Sequence, residues 1–202
     1  MTGPNAPRRP DVCAVEIIGG SEAVAVELQP HDERWVGVYL EHQQRISGAL
    51  ATVGVDADIE HIGSTAVPGL AAKPIVDIVV AVPDITAEED YLDPLLAAGY
   101  QLRVREPGHR LVRPPARDVH VHVYERGHPA VEDYLLLRDR LRTDDDDRAL
   151  YERTKAALLR RRWNDMNDYA DAKTQVISDI KARARAALGA RSTRDRGRPA
   201  AL

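Results

Sequence analysis

Apolar and polar positions along this chain change period several times, and each change marks an element. "AVAVELQ" (23–29) alternates with a period of two and predicts a strand that Pro30 ends. From His31 to Gly54 the apolar spacing becomes helical. Trp35, Tyr39, Ile46 and Leu50 fall on one stripe, with Asp32 placed to cap the helix and Gly54 to stop it. "ADIEHIG" (57–63) reads as a short strand, "STAVPGLAAK" (64–73) as a turn, and "PIVDIVVAV" (74–82) as a strand apolar on both faces, hence inside a sheet. "ITAEEDYLDPLLAAGY" predicts a helix interrupted at Pro94 and ending near Gly99. "YQLRVRE" and "HRLVRP" predict a hairpin around "PGH", and "DVHVHVYE" (118–125) a strand of strict alternation. Three helical segments follow, 129–143, 144–163 and 165–188. The pattern defines an α+β protein, a small mixed β-sheet flanked by helices and then a helical C-terminal part, with the break near Gly127.

Composition adds boundaries. At 202 residues, 44% hydrophobic and 30% charged, the chain is expected to be a soluble globular domain with a core of Leu, Val, Ile and Ala, since it has no Phe. The Pro-, Arg- and Gly-rich start (1–20) and the basic end (189–202) are expected to be disordered. A formal net charge of −4 and the lack of an aromatic stacking platform argue against nucleic acid as a partner, although the basic end could touch it. A single cysteine, Cys13, suits a reducing compartment. No apolar run approaches the roughly 20 residues that span a bilayer, and the start lacks a signal-peptide core. These features predict a cytoplasmic protein without a membrane partner.

Chemistry concentrates in three places. Gly63 and Ser64 follow a strand directly; such a turn can hold a phosphate on its amides, with Ser64 and Thr65 adding hydroxyls, but a bare Gly-Ser is also a plain turn. Asp77 lies inside an apolar strand, where a carboxylate must be paired, metal-bound or functional, or else stand at a solvent-open strand end. His120 and His122 stand two apart on a strand and share a face, with Asp118 beside them. They read either as a metal pair or as hydrogen-bonded surface histidines. The helices add Arg138, Lys155 and Lys173, each on an otherwise apolar stripe. Three cations so placed suggest a cleft for something anionic, such as a triphosphate. The aspartates 144–147 and Arg161 and Arg162 read as solvated faces.

"EHIGSTAVPGLAAKPIVDI" resembles the signature of the GrpB-like family, a branch of the nucleotidyltransferase superfold. The resemblance extends to "DVHVHVY", "LLLRDRLR", the Tyr151 and Lys155 pair and the Tyr169 and Lys173 pair, roughly Val24 to Ala187. It implies one domain over 21–188, its sheet part reaching about 127 and its helical part 128–188. In the superfold pattern a Gly-Ser turn holds nucleotide phosphates and carboxylates on two strands hold two metal ions. Gly63, Ser64 and Asp77 match it. The second carboxylate position carries Val79, and the strand of the third carries His120 and His122.

The resemblance therefore implies a nucleoside triphosphate as ligand or substrate and a divalent metal, magnesium or manganese or, for so nitrogen-rich a set, zinc. Asp77, His120 and His122, with Glu60, are the metal ligands it suggests. His61, Gly63, Ser64, Thr65, Lys73, Arg138, Lys155 and Lys173 are the residues it suggests for nucleotide and phosphate, with Asp77 and Ser64 catalytic. The expected activity is nucleotidyl or phosphoryl transfer to an unknown acceptor. The alternatives are a nucleotide-binding module without catalysis, for which Val79 speaks, and a metal-dependent phosphoesterase using the His-x-His pair.

Overall fold

The computed structural model describes residues 9–20, 27–159 and 166–196, apart from the side chains of 159, 166–172 and 191–196. Most of the strand expected at 23–29 lies outside these residues; its last member, Gln29, bridges Ala72. Also outside them are residues 1–8 and 197–202, Arg161 and Arg162, and the side chain of Tyr169. The chain divides into two compact units, 1–134 and 135–202.

The first unit carries β1 (Glu16–Ile17), α1 (Arg34–Ala51), β2 (Asp58–Ile62), β3 (Val76–Val82), α2 (Glu88–Ala97), β4 (Gln101–Glu106), β5 (His109–Arg113) and β6 (Val119–Glu125). One mixed six-stranded sheet has the order β1-β4-β5-β6-β3-β2. β3 and β6 run parallel, and the other neighbours are antiparallel. The alternation read in the sequence fixes the two faces. Val76, Ile78, Val80 and Val82 of β3 and Val119, Val121 and Val123 of β6 join Trp35, Ile46 and Leu50 of α1 and Leu92 and Leu95 of α2 in one core. Asp77, Val79, His120 and His122 take the other face, where the register sets Asp77 opposite His120 and Val79 opposite His122.

β1 forms inside the start that composition marks for disorder. Its anchor is an ion-pair cluster. Arg110 of β5 is 1% exposed and donates Nη2 to Asp11 Oδ1 and Nε to Glu88 Oε1, each at 2.6 Å. Arg110 Nη1 also donates to the carbonyls of Glu106 and His109, and Asp11 Oδ2 accepts from the Gly108 amide. The N-terminal segment thereby clamps the β4–β5 turn. Asp32 accepts the Arg34 amide at the start of α1, close to the capping role expected of it.

α3 (Pro129–Thr143) begins in the first unit and ends in the second, which adds α4 (Asp145–Leu159) and α5 (Met166–Arg196). Within it Leu141, Tyr151, Leu158, Ile180 and Ala184 are buried. α5 continues through Arg196, into the end that composition marks for disorder; its alanines and arginines are good helix formers. Asp147 is not the solvated residue its neighbours suggest. It is 4% exposed and accepts from Arg140 Nε at 2.6 Å and Arg183 Nε at 2.9 Å. No helix among the described residues is long and apolar enough to cross a membrane.

Candidate functional site

The sheet face opposite the core gathers one carboxylate and two imidazoles. His120 Nδ1 and His122 Nε2 each lie 3.6 Å from Asp77 Oδ1, and the three donor atoms sit within 4.8 Å of one another. Two ligands about 2.1 Å from one ion can stand up to about 4.2 Å apart, so both contacts to Asp77 fall within the reach of a single cation. The donors are two nitrogens and one carboxylate oxygen, a set that fits zinc or manganese better than magnesium. Burial raises the pKa of the Asp77 carboxyl. The imidazoles of His120 and His122 outweigh it and keep the group below the usual carboxylate range. Asp118 is not in this cluster. Neither is Glu60, which lies on β2 opposite Val79 and so shares the sheet face one strand away.

The turn before the site is built around Gly63. Its φ is +73° and its ψ −170°, a conformation essentially confined to glycine. A Cβ there would come 2.5 Å from Asp77 Oδ2. Ser64 follows, half-buried, at the start of a short 3-10 turn, Ser64–Ala66. Thr65 is 1% exposed, and its Oγ1 lies 3.1 Å from His61 Nε2. His61 is buried on the core face, stacked on Tyr39 with ring centroids 4.8 Å apart. The pair ties the turn to α1. Lys73 is half-buried. Burial lowers its pKa, and the charge of Asp77 acts in the opposite sense, which sets its ammonium within the field of the carboxylate.

Sequence reasoning missed a group of residues behind His122. His109 lies near-parallel to His122 and to Tyr124, with centroids at 5.2 and 4.5 Å. Its Nε2 lies 3.1 Å from His122 Nδ1, and its Nδ1 2.6 Å from Glu106 Oε1. Burial, then the neighbouring His122, pushes the His109 pKa down to about 4 against the pull of Glu106. Tyr134 of α3 adds a ring 5.8 Å from His122. The signal was present in the alternation. With β5 antiparallel to β6, His109 stands opposite Tyr124 and on the face of His122.

In the second unit Lys155 is 3% exposed, with its Nζ 4.9 Å from the centre of the Tyr151 ring. Burial, then the charge of Lys173, lowers its pKa to about 8. The two lysines are therefore close enough to repel. Arg138 Nε contacts Asp139 Oδ1 at 2.7 Å.

The sheet, its order and the helices packed on it define an α+β nucleotidyltransferase-like fold. The "structure of GLD-2/RNP-8 complex" shares that architecture at a TM-score of 0.51 and 15% identity, over 73% of this chain and 59% of that one. The profile of the family described as "GrpB protein" matches residues 25–183, and the chain belongs to that family. It is 68% identical to a UPF0157 protein of Streptomyces coelicolor over 93% of this chain and 99% of that protein. It is also similar to the crystal structure of the conserved protein GrpB from Enterococcus faecalis, at a TM-score of 0.67 and 27% identity, over 78% of this chain and 96% of that one.

Proposed function

We propose that this protein binds a nucleoside triphosphate and a divalent metal ion and transfers a nucleotidyl or phosphoryl group to an acceptor. The observation that carries this reading is the meeting of Asp77, His120 and His122 beside a glycine-built turn on a nucleotidyltransferase-like sheet. In this reading Asp77, His120 and His122 hold the ion, with Glu60 on the same sheet face. A bound ion supplies positive charge to phosphate oxygens on which negative charge develops. Gly63 leaves room for the Asp77 carboxylate and Ser64 offers its hydroxyl to a phosphate. Thr65 and His61 hold the turn, and Lys73 adds a cation near Asp77. Within the second unit, Arg138, Lys155 and Lys173 are cations of the kind that pair with phosphate. The ligand is a small-molecule nucleotide, and the exposed thiol of Cys13 fits a cytoplasmic setting.

The experiment is turnover of a panel of nucleoside triphosphates with magnesium, manganese or zinc, beside Asp77→Ala. Metal-dependent transfer that Asp77→Ala abolishes is expected; transfer that survives the substitution overturns the reading. Release of phosphate without transfer, lost in both His120→Ala and His122→Ala, identifies a phosphoesterase instead.

A second reading rests on Val79. It is 1% exposed and occupies the position where the superfold pattern has its second carboxylate. A protein that binds nucleotide without turning it over would be stabilised by about 2.7 kcal/mol at a hundredfold excess over Kd, with no product formed.

A further inference from the structure

We propose that Glu106 and His109 form a proton-ordering relay that holds a proton on His122 Nδ1 and so leaves its Nε2 as the nitrogen available to a cation beside Asp77. The inference deepens the metal reading of this face, but its first part concerns the metal-free protein and stands without an ion.

The relay runs along one line of atoms. Glu106 Oε1 lies 2.6 Å from His109 Nδ1, a short contact of the kind a carboxylate makes as an acceptor. His109 therefore carries its proton on Nδ1. As a neutral ring it presents a lone pair at Nε2, 3.1 Å from His122 Nδ1. Two lone pairs cannot face each other at that distance, so His122 carries its proton on Nδ1. Its other nitrogen, Nε2, lies 3.6 Å from Asp77 Oδ1 and is the one a cation held with Asp77 would take. Without a partner behind it, His122 could place its proton on Nε2, where it would donate to Asp77 and offer nothing to a cation.

The support for the relay is itself held in place. The His109 ring packs on Tyr124, with centroids 4.5 Å apart and planes 16° from parallel, which holds the ring plane. The buried Arg110 donates to the carbonyls of Glu106 and His109, the two residues flanking the β4–β5 turn. Asp11 accepts from Arg110 and from Gly108 within that turn. A ligating imidazole whose other nitrogen is hydrogen-bonded binds a metal more tightly, and removal of such a partner typically weakens binding by about 10- to 100-fold. Glu106 and His109 are positioning residues here, since neither donor atom reaches the Asp77 cluster.

The test is nitrogen-15 spectroscopy of the histidine rings in metal-free protein, followed by zinc titration. Native protein is expected to show His109 and His122 both protonated on Nδ1. Glu106→Ala, at a partly exposed position, and His109→Ala are expected to release His122 to the Nε2-protonated form and weaken zinc binding by about 10- to 100-fold. Glu106→Gln, whose amide oxygen can still accept from His109, is expected to restore most of both. A native His122 without a proton on Nδ1 overturns the proposal, as does a protonation pattern unchanged in both alanine variants. A native Nδ1-protonated His122 that moves in the variants, in a protein that binds no zinc or manganese, overturns the metal reading and upholds the relay.

Discussion

The missing side chain of Gly63 is the space that the Asp77 carboxylate occupies. A Cβ at residue 63 would stand 2.5 Å from Asp77 Oδ2 and 3.1 Å from its Cβ, in a backbone conformation with φ of +73°. Gly63→Ala therefore meets two penalties, strain of about 1–3 kcal/mol in the backbone and displacement of Asp77. Chemical denaturation should show a loss in that range, and zinc titration a loss of affinity larger than the stability change alone explains. Unchanged affinity in a folded variant would exclude Asp77 as a ligand.

Arg110 joins two carboxylates in a buried cluster, so its removal and the removal of one partner differ in consequence. Arg110→Ala leaves Asp11 without its cation, while Glu88 keeps Arg105, and is expected to cost about 3 kcal/mol. Asp11→Ala leaves Arg110 paired with Glu88 and costs less. Urea midpoints of the two variants give the order. The same pair makes stability acid-sensitive. Burial raises the pKa of Asp11 and Glu88, but the hydrogen bonds from Arg110, and from Arg105 to Glu88, leave both below their ordinary values. A depressed carboxylate contributes stability that is complete above the unfolded pKa, near 4, and is lost as pH falls below it. Native midpoints should drop below pH 4 more steeply than those of Arg110→Ala.

Val79→Asp places a carboxylate where the superfold pattern has one, between Glu60 on β2 and His122 on β6. In chelator the variant should be destabilised by on the order of 3 kcal/mol, since the site is 1% exposed and Asp77 is already ionised nearby. Added manganese or magnesium should recover part of the loss. Thermal unfolding with and without metal measures both, and no recovery would mean that the face cannot accept a second acidic ligand.

Lys155 gives the helical unit an alkaline signature. Its pKa of about 8 lies below the ordinary 10.5 because burial, and then Lys173, disfavour the charged form. Between these two values the unfolded lysine holds a proton that the folded one has lost, so stability rises with pH across the window, by up to about 3 kcal/mol. Below pH 8 the penalty is fully present. Lys155→Met should then be more stable than the native protein at pH 7 and lose that advantage by pH 10. Melting curves at the two values decide it.

Much of this was legible in the sequence because burial writes its period into the chain. The apolar run around Asp77 announced an interior strand, and the alternating Val119, Val121 and Val123 a strand whose other face carries His120 and His122 together. What the alternation could not supply was which strands adjoin. Asp77 meets His120 because β3 and β6 pair in parallel across the excursion of α2, β4 and β5, and no local pattern encodes that. Glu106 and His109 were passed over for the same reason: each looks like an ordinary charge beside a turn until β5 is set against β6. Asp147 was misjudged because its partners, Arg140 and Arg183, come from two different helices. His61 carries a polar side chain on the core side of β2, and only the Tyr39 ring and the Thr65 hydroxyl make sense of it there.

The parallel seam between β3 and β6 would give an ion bound across it a part in folding. The site's donors are divided between two strands that are separated in sequence by a helix and a hairpin. A slip of one residue at that seam would turn valines toward Asp77 and histidines into the core. An ion held by Asp77, His120 and His122 can bind only the correctly registered sheet, so it would act as a proofreader of strand pairing. Refolding in the presence of zinc should then yield fewer mispaired chains than refolding in chelator.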